Sequence, residues 1–600
     1  MARVRGDVVA FTLGALAVAG ISVGLTLRHR AAAAGQRQRF SGSRVVADLP
    51  TALLSPRLPV SLRVVVVRDE AAASFYGRAT TLDSIIATWR TALRTAGAEV
   101  SVLGSGELGR AGAAAVLVVP SSPCLTAATR AAIDAALARG RGVLLTGLAG
   151  TKDAGCRDVG YGLITTLTGA QRVAPLGDRA MTYVTVPNAG PLAAGIPPGA
   201  RIDVKPGAQV ALRLPSRDAY FSDYVLEPAG VTGEELLDGA IAHRASGGGR
   251  AVYWGFELRD VTPTPWSRSV AALLVRNSVV WSAGLPLVSV EPWPAPHRAA
   301  ATIAQDVEAD FSDARHALDS LSAAKIPSTF YLVSDLARHN KRLSKAMAEA
   351  GEIGSHTENH KLLGGVALRE QQRRLQVSQR DLSDLLGAPV SGLRPPEEQF
   401  DRATLVAWLA SGGSYVFGAN DSRSGAPELI PLDGDTLVLF GRVTPDDFGA
   451  ASDARSGVTQ AAAGYLDDFA KMRALGGLYM LSYHSQLLAR PDQVPVLAHV
   501  ARAIARDSTV WLATVGDVAQ WWRARADLEV TARASGSTVV VDVRNRGAAA
   551  VTGAVVRVDF GGTRAARTAT VPMLAGSAGM TRLALPSIGA GARRTFTLMF

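Results

Sequence analysis

The chain has 600 residues, of which 48% are hydrophobic and 19% are charged, and this composition excludes wholesale disorder. At roughly 100 to 200 residues per domain, the length predicts about three to five domains. The formal net charge is +11, but the excess of basic residues lies before residue 51 and after residue 530. Because no nucleic-acid-binding motif accompanies this charge, we expect no nucleic-acid partner.

The N-terminal end contains an uncharged apolar run at residues 8–27. As a helix with a rise of about 1.5 Å per residue, this run would be about 30 Å long, which matches the hydrocarbon core of a bilayer. We therefore predict a single-pass membrane anchor at residues 1–30, with the N-terminus inside and the following domains extracytoplasmic. The small residues at 31–35 leave cleavage of this segment open. Residues 31–60 are predicted to be a linker.

The region 61–285 alternates short apolar strands with helices. Strands are predicted at 61–67, 114–120 and 142–147, and a helix is predicted at 82–97. Such alternation is typical of a parallel, doubly wound α/β sheet. The pattern resembles the glutamine-amidotransferase-like, flavodoxin-like domains that occur beside extracytoplasmic carbohydrate enzymes.

The chain has two cysteines, Cys124 and Cys156, and both lie in this α/β region. Cys124 follows a predicted strand, but a nucleophile would need a Gly-flanked elbow and a His–Glu pair that the sequence does not show. In an extracytoplasmic domain, two cysteines most simply form a disulfide. Its loop of about 32 residues would contribute roughly 3 to 4 kcal/mol. Two buried free thiols are the alternative.

The region 286–526 contains the stretch GEIGSHTENH, which puts His356 and His360 four residues apart. This spacing allows two imidazoles to share one metal ion. A predicted helix, glycine turn and short strand precede the pair, so both histidines are expected at the C-terminal end of a strand, where barrel enzymes carry their chemistry. The last region, 527–600, has short β-rich runs between Gly, Ala and Thr turns and predicts a small β-sandwich.

Several motifs of region 286–526 occur in a fixed order: TIAQDVEAD at 302–310, PSTFYLV at 327–333, HTENH at 356–360, GLRPPEEQFD at 392–401 and LYMLSYHSQ at 478–486. Together they resemble the polysaccharide deacetylase (NodB-homology) family. That family removes N- or O-acetyl groups from sugars in chitin, peptidoglycan and exopolysaccharides. The resemblance implies a distorted (β/α) barrel. The whole chain is then a multi-domain α/β protein that ends in a β-sandwich.

The resemblance also implies a metal site. Carried over residue by residue, Asp306, His356 and His360 would bind a divalent metal, which is most often zinc in this family. Such a metal polarises the acetyl carbonyl and lowers the pKa of water to about 7. These residues therefore predict a metal-dependent carbohydrate deacetylase.

The catalytic side chains implied by the resemblance are His484, Arg394 and Asp421. His484 would protonate the departing amine, and Arg394 would orient a carboxylate in the site. Asp421 would tune His484, although it is equally well explained as an acid of an exposed loop.

The first motif departs from the family, because Gln305 stands where a base carboxylate is usual. A carboxamide cannot accept a proton at physiological pH, and general-base assistance is worth about 10² to 10⁴ in rate. Glu308 and Asp310 are candidate substitutes. A shifted register, with Asp306 as the base and Glu308 as a metal ligand, is a further alternative. If the usual register holds, Gln305→Asp is expected to raise the rate.

Two functions follow from these residues. The first is a membrane-anchored, extracytoplasmic deacetylase that acts on an acetylated surface or wall polysaccharide. The second is a degenerate relative that binds polysaccharide without hydrolysing it.

Overall fold

The computed structural model describes residues 55–77, 79–215, 218–222, 238–246, 248–418, 423–450, 456–560, 566–576 and 579–600. The predicted anchor at 1–30 and Asp421 lie outside these residues. Within the described part of the chain, no helix is both long and apolar enough to cross a bilayer.

The first domain is built on a sheet of 11 strands. The strands are β1 (Arg63–Arg68), β2 (Glu99–Gly104), β3 (Val116–Val119), β4 (Gly142–Thr146), β5 (Arg172–Pro175), β6 (Tyr183–Val186), β7 (Ala200–Asp203), β8 (Val210–Arg213), β9 (Ala219–Ser222), β10 (Gly239–Ser246) and β11 (Gly249–Trp254). The order β2-β1-β3-β4-β11 is parallel throughout, and β11 pairs antiparallel with β10. The prediction of a parallel sheet is confirmed for these five strands, whereas the pairings among β5 to β10 are antiparallel.

Helices cover both faces of the parallel part of this sheet. They are α1 (Glu70–Phe75), α2 (Ala79–Thr95), α3 (Ala127–Ala138), α4 (Gly162–Thr168) and α5 (Pro265–Ser282). Val64 and Val66 of β1 join the core formed with α2 and α5, whereas Val65 and Val67 join the core formed with α3 and α4. A strand buried on both faces needs apolar side chains in both directions, which explains the run of four valines.

The two cysteines are joined in a disulfide between Cys124 and Cys156. Its Cα atoms are 5.0 Å apart, and Cys124 is fully buried. The disulfide prediction is confirmed, and it removes the nucleophile interpretation of Cys124.

The next strand, β12 (Leu287–Val290), leaves the first domain and pairs antiparallel with a strand near the C-terminus. A second sheet of nine strands follows. Its strands are β13 (Ala299–Val307), β14 (Thr329–Leu332), β15 (Glu352–Ser355), β16 (Gly392–Leu393), β17 (Tyr415–Phe417), β18 (Glu428–Leu432), β19 (Asp435–Phe440), β20 (Leu478–His484) and β21 (Val510–Leu512).

The order of this sheet follows the parallel run of a (β/α) barrel, but among the described strands it stays open between β18 and β20. Strands β13 to β17 follow one another in parallel, β19 continues the row, and the late strands β20 and β21 return to lie beside β13. Strand β18 is antiparallel to β19, which distorts the pattern. The helices are α6 (Ala314–Ala323), α7 (Ser334–His339), α8 (Lys341–Ala350), α9 (Leu368–Leu386), α10 (Arg402–Ala410), α11 (Asp447–Ala450), α12 (Val458–Leu475), α13 (Val494–Ala505) and α14 (Val515–Ala526).

The C-terminal unit consists of two sheets of four strands. Its own strands are β22 (Leu528–Ser535), β23 (Thr538–Asn545), β24 (Val555–Asp559), β25 (Thr568–Ala569), β26 (Met573–Leu574), β27 (Met580–Ala584) and β28 (Arg593–Met599). The sheet orders are β12-β24-β27-β26 and β22-β23-β28-β25. The unit therefore extends beyond the predicted range 527–600, because β12 supplies an edge strand from more than 200 residues upstream.

Candidate metal and catalytic site

The site begins at the end of β13, where Asp306 stands next to His484 of β20 in the parallel register. Side chains alternate between the two faces of a strand, so Asp306 shares a face with Ala304 and not with Gln305. Glu308 lies one residue beyond the end of β13. Asp306 is therefore held by the strand ladder on both sides, whereas Glu308 belongs to the loop that follows.

The two histidines lie in the loop after β15. This loop is a turn rather than a helix, and Thr357 and His360 both adopt left-handed backbone conformations, with φ of 68° and 58°. Such a φ is costly for a β-branched residue, and strain of this kind is common at functional sites. The turn brings the two imidazole ring centres to 4.8 Å from each other.

Glu308 is the carboxylate that meets these histidines. Its Oε2 atom is 3.1 Å from His356 Nε2 and 2.6 Å from His360 Nε2. Ligand atoms of the three residues all lie within 4.8 Å of one another. Burial raises the pKa of Glu308, but the contacts with His356 and His360 outweigh burial and hold that pKa well below its usual range.

The three residues fit a divalent metal. The Nδ1 atom of His356 is 2.7 Å from the backbone carbonyl of Arg394. A carbonyl oxygen only accepts, so Nδ1 carries a hydrogen, and Nε2 is the nitrogen that faces Glu308. Imidazole nitrogens with a carboxylate oxygen are typical zinc ligands, and the three ligand atoms lie close enough to share one ion. The fixed Nδ1–H is the arrangement expected of a metal-binding histidine.

Asp306 was expected to be the third metal ligand, but the structure brings it to other partners. Its Oδ2 atom is 2.9 Å from Arg394 Nε and 3.5 Å from His484 Nε2. Its Oδ1 atom has no hydrogen-bond partner among the described residues. Burial raises the pKa of Asp306, but the positive charge of Arg394 more than compensates and the pKa is lowered overall. This geometry corresponds to the alternative register, with Glu308 at the histidines.

Arg394 is itself held by a buried network. Its Nη1 atom donates to Glu398 Oε1 at 2.8 Å, and Arg442 Nε donates to the same oxygen at 2.9 Å. The guanidinium also lies over the ring of Phe417, 4.8 Å from its centre. The expectation that Arg394 orients a carboxylate agrees with this contact geometry, and the carboxylate is that of Asp306.

His484 has a partner that the sequence analysis missed. Its Nδ1 atom is 2.6 Å from Asp447 Oδ1, and its backbone N–H donates to Asp447 Oδ2 at 2.8 Å. Burial lowers the pKa of His484, but the hydrogen bond to Asp447 and the charge of Asp306 raise it overall to about 9. Asp447 is the first residue of α11, soon after β19, and none of the motifs in the sequence includes it. Asp421, the expected partner, lies outside the described residues.

A scan of protein families finds a match in this sheet. Residues 309–413 match the family model described as polysaccharide deacetylase. These residues form a polysaccharide deacetylase domain. The matched segment includes His356, His360 and Arg394; it begins one residue after Glu308 and ends before His484. The expected resemblance to polysaccharide deacetylases is therefore confirmed for residues 309–413.

A search of solved structures finds matches that cover about two fifths of the chain. One is assigned as a polysaccharide deacetylase from Mycobacterium smegmatis, with 20% identity, a TM-score of 0.36, and coverage of 39% of this chain and 93% of that chain. Another is assigned as a polysaccharide deacetylase from Pseudomonas aeruginosa PAO1, with 18% identity, a TM-score of 0.34, and coverage of 39% and 94%.

A third is a CE4 family pseudoenzyme from Bacillus anthracis, with 12% identity, a TM-score of 0.28, and coverage of 37% and 66%. At these scores the similarity says nothing about activity. A search of curated proteins gave no match.

Gln305 does not point into the site. It is fully buried, and its Oε1 atom accepts a hydrogen bond of 3.4 Å from the hydroxyl of Tyr483. Tyr483 belongs to the core that packs β13 and β20 against α12 and α13. Gln305 was expected at the base position, but its side chain lies on the outer face of β13. The carboxylate beside Arg394 and His484 is Asp306.

Proposed function

We propose that this protein is a metal-dependent deacetylase that removes acetyl groups from a polysaccharide. The observation that supports this best is the adjacency of two groups of residues. Glu308, His356 and His360 converge as a ligand set, and Asp306 and His484 lie beside them, 3.5 Å apart. One group suits a metal, and the other suits proton transfer.

A divalent ion held by Glu308, His356 and His360, with zinc the best match to these ligands, would supply a Lewis acid for the acetyl carbonyl and acidify a water molecule. Asp306 is the proposed base, because its Oδ1 atom is free to accept a proton from attacking water. Arg394 keeps Asp306 ionised and fixes its orientation through Oδ2. A base of this kind contributes about 10² to 10⁴ in rate.

His484 is the proposed acid. Its Nδ1–H is held by Asp447, which leaves Nε2 on the side of Asp306 to donate a proton to the departing amine or alcohol. The raised pKa of His484, about 9, keeps the ring protonated at neutral pH. His484, the acid, is thus protonated while the adjacent Asp306, the base, is ionised, as acetyl hydrolysis requires.

The alternative, a protein that binds polysaccharide without hydrolysing it, was motivated by an amide at the base position. The burial of Gln305 against Tyr483, with Asp306 beside Arg394 and His484, supports the enzyme over this alternative. Residues 8–27 remain the proposed membrane anchor, with the domains outside the cytoplasm. The disulfide between Cys124 and Cys156 supports this compartment, because disulfides persist in oxidising environments.

The test is acetate release from a panel of N- and O-acetylated glycans by the zinc-loaded protein. We expect release from at least one polysaccharide, and loss of release in His484→Ala with substrate binding retained. A protein that binds a glycan of the panel but releases no acetate from any of them would contradict the proposal.

A further inference from the structure

We propose that Gln486 positions Glu308 for metal binding. The side-chain amide of Gln486 donates from Nε2 to Glu308 Oε1 at 2.7 Å. The other oxygen, Oε2, is the one that faces His356 and His360. The two carboxylate oxygens therefore have separate partners. This inference rests on the metal site proposed above.

Glu308 needs an external constraint, because nothing in the strand ladder holds it. It follows the last residue of β13 and lies in a bend of the chain. A glutamate side chain has three rotatable bonds, and fixing such a side chain costs conformational entropy. A donor that holds Oε1 would pay part of this cost before a metal arrives.

Gln486 is anchored to the same segment that carries Glu308. The backbone N–H of its neighbour Ser485 donates to the carbonyl of Asp306 at 3.1 Å. The hydroxyl of Ser485 donates to the carbonyl of Ala309. The segment after β20 and the segment after β13 are thus joined on both sides of Glu308, so the carboxylate and its amide donor keep a constant relative position.

The hydrogen bond from Gln486 leaves one oxygen of Glu308 for the metal. With Oε1 engaged by the amide, Oε2 is the oxygen that Glu308 presents together with the two imidazoles. A ligand that uses one oxygen occupies one coordination position, which leaves others for water and substrate. Groups that hold a ligand in this way are typically worth about 10- to 100-fold in metal affinity.

The test measures the zinc affinity of the purified full-length chain by competition with a chromogenic chelator. Gln486→Met keeps the length of the side chain but removes the donor. We expect it to weaken zinc binding by about 10- to 100-fold without lowering the unfolding temperature of the metal-free protein. The matched control is Gln493→Met, at a partly buried glutamine whose amide lies beside Asp492, and it should leave zinc affinity unchanged.

A double-mutant cycle separates positioning from a general structural effect. If Gln486 acts through the carboxylate, Gln486→Met should cause no further loss in a Glu308→Ala background. A loss of equal size in both backgrounds would overturn the inference. So would unchanged zinc affinity in Gln486→Met when Glu308→Ala weakens binding. If Glu308→Ala itself leaves zinc affinity unchanged, the metal site proposed above fails, and that result is distinct from the other two.

Discussion

Replacing Gln305 by aspartate is the most discriminating perturbation of this site. If the side chain of residue 305 faced the catalytic site, Gln305→Asp would place a carboxylate there, restore a base and raise the rate. In the structure the side chain is fully buried on the outer face of β13 beside Tyr483. A carboxylate buried there would lose its hydration, so we expect it to be forced into its protonated form and to destabilise the fold.

The size of this effect can be worked out from the pKa. An aspartate has an ordinary pKa of about 3.9, so keeping it protonated at pH 7 costs at most about 4 kcal/mol, or about 1.4 kcal/mol per pH unit. The folded-state pKa of this acid lies above its unfolded value. The destabilisation is therefore absent below about pH 4 and grows as pH rises towards the folded-state pKa. Gln305→Asn has the same shape without the charge, and its cost should not depend on pH.

The assay is urea unfolding of both variants at pH 5 and pH 7, together with acetate release. The free energy of unfolding should fall for Gln305→Asp relative to Gln305→Asn by up to about 2.7 kcal/mol between these pH values. Acetate release per folded molecule should not rise. A Gln305→Asp protein that is as stable as Gln305→Asn at pH 7 and releases acetate faster than wild type would refute the placement of Gln305.

Three further predictions concern the site itself. Asp306→Asn should lower acetate release by about 10²- to 10⁴-fold while zinc content, measured by elemental analysis, stays that of wild type; loss of zinc would return Asp306 to the ligand set. Glu308→Ala, in contrast, should lower the zinc content itself, and full zinc retention would contradict its role as a ligand. Asp447→Asn should shift the alkaline limb of the rate–pH profile to lower pH, because the hydrogen bond that raises the pKa of His484 to about 9 is weakened; an unmoved limb would show that His484 is not the acid.

Much of the fold was predictable because it depends on local patterns. The four valines of β1 and the alternation of strands and helices predicted a doubly wound sheet, and the structure buries those valines on both faces. The resemblance carried by the motifs implied a distorted barrel. The single pair of cysteines predicted the disulfide, since no other pairing exists in the chain.

The roles within QDVEAD could not be assigned in the same way. Adjacent side chains on a strand point to opposite faces, so a shift of one residue exchanges core and site positions. Whether Gln305 or Asp306 faces the site depends on pairing with β14 and β20, which are brought together only in the folded sheet.

What the sequence by itself determined is the set of side chains available for chemistry: two histidines four residues apart, nearby carboxylates, an arginine and a late histidine. Only the tertiary structure decided which of them meet. Glu308 reaches His356 and His360 because strand β13 ends at the residue before it. Asp447 reaches His484 although the two are 37 positions apart in the chain. Contacts of this kind depend on strand register and on loop paths, and neither leaves a periodic signal in the sequence.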